Sequence, residues 1–77
     1  MMNSIMLDGR VTEINGNSFI LETTDNEVNT YHFTVSVKGT HSLTVGKVIR
    51  VVGRIKENNG HVSIIAEYAA GIGKEVA

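Results

Sequence analysis

Lys47, Arg50, Arg54 and Lys56 fall in one ten-residue run, Lys-Val-Ile-Arg-Val-Val-Gly-Arg-Ile-Lys, and make up four of the chain's seven Lys and Arg residues. Side chains alternate along an extended strand, so Arg50, Arg54 and Lys56 share a face with Val48 and Val52, while Ile49, Val51, Gly53 and Ile55 share the other. One face fits a core, and the other fits an anionic partner such as a phosphate backbone. The flanking segments have the opposite sign: residues 1–46 sum to −3 and residues 57–77 to −2, against +4 for residues 47–56. A net charge of −1 argues against an indiscriminate, strongly basic nucleic-acid binder, yet it leaves room for a basic stripe.

Other chemistries find no support. His32, His41 and His61 have no metal-ligand spacing, and the chain contains no cysteine, so neither a metal site nor a disulfide framework is expected. Gly73-Lys74 falls short of a phosphate-binding loop, because Glu75 stands where Ser or Thr is needed and Tyr68 replaces the first glycine. The Ser and Thr residues suit strands and turns, and no nucleophile, base and orienting acid assemble from the pattern. The chain is expected to be neither an enzyme nor a cofactor carrier.

The elements that would hold the stripe follow from a period-two recurrence of apolar residues, the absence of proline and the placement of glycine. A first strand is predicted from about Asn3 to Ile14, with Ile5, Leu7, Gly9 and Val11 inward and Gly9 as the point of bend or bulge. Asn15-Gly16-Asn17 makes a tight turn into a second strand, Ser18 to Thr24, with Phe19 and Leu21 inward. After the polar segment Asp25 to Thr30, a third strand runs Tyr31 to Lys38, burying Phe33, Val35 and Val37. The connector Gly39 to Gly46 is too short for more than one helical turn, and Leu43 and Val45 are expected to cap one end of a barrel. The fourth strand, about Lys47 to Glu57, turns at Asn58-Asn59-Gly60 into a fifth, His61 to about Tyr68, with Val62, Ile64 and Ala66 inward. Residues 1–68 form one domain on this reading, and 69–77 a mobile tail.

Five strands, two of them with a mid-strand glycine, and no amphipathic helix to cover an open sheet, predict an all-β chain closed into the five-stranded Greek-key barrel called the OB-fold. A small SH3-like barrel is the structural alternative. Seventy-seven residues bury only about 60% of the surface exposed by the unfolded chain, so stability is modest or shared with a partner. No apolar stretch is long enough for a signal peptide or a membrane span, which makes a cytoplasmic location the expectation.

Two segments carry a family resemblance. Met2-Asn3-Ser4-Ile5-Met6-Leu7-Asp8-Gly9-Arg10-Val11 resembles the opening strand of bacterial single-stranded DNA-binding proteins, an apolar run ending in Gly-Arg and another apolar residue. Gly46-Lys47-Val48-Ile49-Arg50-Val51-Val52-Gly53-Arg54-Ile55 resembles that family's fourth strand, and Tyr31-His32 lies where the family often begins its third strand with an aromatic. The similarity spans about residues 2–68. Three departures accompany it: the usual helix between strands three and four is reduced to a loop, several exposed stacking aromatics are absent, and the C-terminus does not resemble the family's acidic tail. The resemblance thus implies a reduced relative, such as one encoded by a mobile element or phage, or one like the primosomal replication proteins. It also implies binding of single-stranded DNA, with RNA as second choice, in replication, recombination or DNA transfer.

The stripe and the resemblance together give a candidate site. Arg10, Lys38, Arg50, Arg54 and Lys56 would hold phosphates, Tyr31 or His32 would meet bases, with Tyr68 as a further alternative, and Thr34 and Asn59 lie on the outward face and at a hairpin tip that flanks the groove of an OB-fold. Outward aliphatics Met6, Ile20, Val48, Val52 and Ile65 are expected to meet other copies of the chain in a homodimer or homotetramer. A protein-docking barrel, whose stripe serves only solubility, is the rival reading.

Overall fold

β1 (Ser4–Asn15), β2 (Ser18–Thr24), β3 (Thr30–Val37), β4 (Val48–Asn58) and β5 (His61–Gly71) account for most of the computed structural model, which describes residues 4–25, 28–38 and 42–72. The strands close in the order β1-β2-β3-β5-β4, with β4 returning to β1. Every neighbouring pair is antiparallel except β3 and β5, which run parallel over four residue pairs, Thr34↔Ser63 to Val37↔Ala66. This is the OB-fold barrel that the strand count and glycine placement predict.

The alternation fills the interior as expected over most of its length. Val11, Phe19, Leu21, Val35, Ile49, Val51 and Ile64 are fully buried, with Ala66 beside them. Leu43 of the β3–β4 connector is buried and joins the core cluster, whereas Val45, expected to help it cap the barrel, is exposed. The connector is pinned to β1: the Gly46 N–H donates to the Val11 carbonyl at 2.7 Å, and the Val11 N–H to the Lys47 carbonyl at 2.9 Å.

Two residues are inserted into the ladders. Val11 pairs with Leu21 and Glu13 with Ile20, so the bulge of β1 is at Thr12 and not at Gly9; the extra residue restores Ile14 to the inner face. Gly9 instead marks close approach, since a Cβ there would overlap the Glu22 carbonyl oxygen. Gly53 does the same between β4 and β5, where a Cβ would strike the Ile65 carbonyl oxygen. Val52 pairs with Tyr68 but Gly53 with Ala66, leaving Glu67 as the second inserted residue. Ala69 thereby returns to the interior side and packs against the core.

Three further expectations are corrected. β5 runs through Gly71, past the boundary expected at residue 68, and its last residues pair with Ile49, Arg50 and Val51. Ile55 and Val62, expected inward, are 38% and 48% exposed. Among the described residues β1 leaves β4 at Arg54, and β3 meets β5 only from Ser63 onward, so the tip of the β4–β5 hairpin is a two-stranded arm that has no interior. Its turn carries Asn59 at φ 55° and Gly60 at φ 83°, the pair of positive φ angles of a type I′ hairpin. Asn3, His41 and residues 73–77 lie outside the described residues.

Candidate nucleic-acid interface

The stripe does not stay together. Arg50 turns toward β1, where its planar fork grips Asp8: Nε lies 2.8 Å from Oδ1 and a terminal nitrogen 3.0 Å from Oδ2. The two residues are near neighbours because β1 and β4 pair Asp8 directly with Arg50. This contact holds the Asp8 carboxyl below its ordinary value and raises Arg50, in both cases chiefly through the shared hydrogen bonds. Arg10, on the same strand as Asp8, stands opposite Glu22 and Val48. Glu22 in turn approaches His32, with Nε2 3.5 Å from Oε2.

Arg54 and Lys56 face the other way, toward β5, and meet a lysine that follows β3. A cleft of about 330 Å³ lies over the β3–β5 seam, lined by Ser36, Val37, Lys38, Lys56, Asn58, Ser63 and Ile65. Strand register builds it: Lys56 pairs with Ser63, Ser63 with Thr34, and Ile65 with Ser36. Two ammonium groups thus border hydroxyl and amide groups, donors matched to phosphate oxygens. A second cleft, of about 510 Å³, adjoins it and shares Val37, Lys38 and Ile65. Lys47, Arg54, Glu67 and Tyr68 lie along this larger cleft, floored by Ala66, Ala69, Ala70 and Gly71. Arg54 is held there by Glu67, Nε to Oε2 3.3 Å.

The sequence-predicted residues therefore divide. Lys38, Arg54 and Lys56 converge on the clefts, and Thr34 stands beside Ser63 at their edge. Asn59 sits at the arm's turn, while its neighbour Asn58 lines the smaller cleft. Arg50, Arg10 and His32 lie on other surfaces beside carboxylates. Tyr31 is 46% exposed, and its hydroxyl donates to Asp25 Oδ2 at 3.2 Å, which ties the ring to the neck of the β2–β3 loop. Asp25 also accepts the backbone N–H of Asn29 at 3.1 Å.

Lys47, Ser36, Ser63 and Glu67 line the clefts although the sequence reading does not place them in the site, and Tyr68, the alternative aromatic, lines the larger one. Simple parity puts Lys47 on the inner face of the fourth strand, but it precedes β4 and escapes that rule. The outward aliphatics also separate: Met6 faces Val52 across β1 and β4, with Val48 further along, whereas Ile20 is beside Thr34 and Ile65 lies in both clefts. Among the described residues no group of three or more His, Cys, Asp or Glu is placed to hold a metal ion, and no helix is long and apolar enough to cross a membrane.

The barrel and its grooved seam define the class: an OB-fold domain with a cationic, hydroxyl-lined surface. No protein-family model matches the chain, and no curated protein matches it either. Among solved structures it is similar to the N-terminal domain of the PriB protein from Thermoanaerobacter tencongensis, described as dimeric. That similarity has a TM-score of 0.72 at 17% sequence identity, and covers 94% of this chain and 98% of that one. At such identity the likeness establishes the shared barrel.

Proposed function

We propose that this barrel binds single-stranded DNA with little sequence preference, as a cytoplasmic homodimer serving replication, recombination or DNA transfer, and that it performs no reaction of its own. The observation that carries the reading is the smaller cleft: Lys38 and Lys56 stand on its two sides, with Ser36, Ser63 and Asn58 between them and, among the described residues, no carboxylate in its lining. Phosphate recognition by lysines and neutral donors positions a strand without reading its bases. The dimer rests on the dimeric structural neighbour and on Met6 and Val52, apolar partners on the outside of β1 and β4.

Titration of labelled oligo-dT by fluorescence anisotropy tests the reading. Tight binding at low salt should weaken as salt rises, with a log–log slope of about 0.7 per phosphate contact. Lys38→Glu combined with Lys56→Glu should lower affinity at least tenfold, roughly 1.4 kcal/mol or more, and flatten that slope. Affinity absent at low salt, or indifferent to salt, overturns it. The rival, a protein-docking barrel, draws on the carboxylates that occupy Arg50 and Arg54. On that reading the unmodified protein has no salt-dependent affinity for oligo-dT, and the double reversal changes nothing.

A further inference from the structure

We infer that a bound strand does not stop at the smaller cleft but crosses Ile65 into the larger one, where a phosphate displaces Glu67 from Arg54; this rests on the proposed single-strand binding. Glu67 acts on this view as a built-in competitor that sets how tightly the second cleft holds.

Three observations lead there. The clefts are continuous, since Val37, Lys38 and Ile65 line both, so Lys38 serves a strand in either. The larger cleft adds Arg54 and Lys47, and the Lys47 side chain lies over Gly71: a Cβ on that glycine would sit 3.0 Å from Lys47 Cε and 3.6 Å from Nζ. The missing side chain leaves the ammonium a place at the rim. Finally, Glu67 shares the outer face of β5 with Ile65, at the point of the insertion, and it is the one carboxylate among the described residues lining the larger cleft.

The Arg54–Glu67 contact is made for exchange. Both side chains are about half exposed and the nitrogen–oxygen distance is 3.3 Å. An exposed ion pair of this kind contributes little, so an incoming phosphate that offers the guanidinium two oxygens competes well with it. Arg50 is held differently, by two bonds of 2.8 and 3.0 Å, and stays with Asp8. Tyr68, 57% exposed and lining the cleft, gives the strand an aromatic neighbour.

The test is a double-mutant cycle on the full chain, read by oligo-dT anisotropy with an oligonucleotide of about 12 residues, within the span one OB-fold engages. Glu67→Gln should tighten binding about threefold or more, and Lys47→Gln should weaken it and lower the salt slope by about 0.7, one single-strand phosphate contact. In an Arg54→Gln background the gain from Glu67→Gln should disappear, because no guanidinium remains to be released. A gain of equal size in both backgrounds would mean that Glu67 merely repels the polyanion, and would overturn the exchange. Binding by the unmodified protein that is lost in the Lys38/Lys56 double reversal but indifferent to Glu67→Gln and Lys47→Gln overturns the second cleft and leaves the first standing. No binding by the unmodified protein takes down both.

Discussion

Asp8 and Arg50 are 42 residues apart in sequence, yet theirs is the best-formed ion pair among the described residues. Because the Asp8 carboxyl is held below its ordinary value, its contribution to stability is complete above that ordinary value and is lost as pH falls through the lowered native one. Arg50, raised from an already high value, loses its share only in strong alkali, so acid is the accessible probe. Asp8→Asn should therefore lower the melting temperature slightly at neutral pH, with the gap from the unmodified protein closing in acid; a gap independent of pH would deny the pair its role. The effect is small because both side chains are nearly half exposed. Which residues are cationic, and on which side of the strand they emerge, was legible from alternation alone. Which of them would be neutralised was not, because the partner is supplied by strand register, and register joins residues far apart in the chain.

Strands and turns were the most legible part. The two Asn-Gly turns and the alternation in β2 and β3 are local signals, and local signals place those strands to within a residue. Parity failed where it depended on neighbours. Ile55 and Val62 alternate correctly, but the arm that carries them runs past the strands that would have given it an inside. The insertions at Thr12 and Glu67 were equally hidden, since a bulge answers the curvature needed to close the barrel rather than any preference of the inserted residue. Glycines separate the two kinds of constraint. Gly53→Ala drives a Cβ into backbone that cannot step aside and should destabilise by about 3 kcal/mol, the upper end of overpacking costs. Gly16→Ala has open space but a φ of 61°, and should cost only about 1–2 kcal/mol. Urea denaturation of the two variants measures the difference; equal losses would mean that close approach at β4–β5 is not what Gly53 provides.

A molecule this small hides little apolar surface, and part of what remains outside gathers on β1 and β4. Met6 is 59% exposed and faces Val52, with Val48 also exposed. If this patch joins two copies as proposed, Met6→Asp should shift the protein to monomers in sedimentation equilibrium while leaving its far-ultraviolet circular dichroism unchanged. An unaltered molecular mass places the interface elsewhere. The candidate site was only half legible for a reason that is also global: the smaller cleft forms where β3 meets β5, strands separated in the chain by all of β4, so Ser36 and Ser63 become neighbours only when the barrel is assembled. That junction is also the shortest ladder of the barrel, four residue pairs long. Ser36 and Lys38 belong to one lip of it and Ser63 and Ile65 to the other. Whatever occupies the groove must touch both lips, so occupancy rivets the barrel's shortest joint, and the free energy of filling the groove is shared with that of keeping the molecule shut.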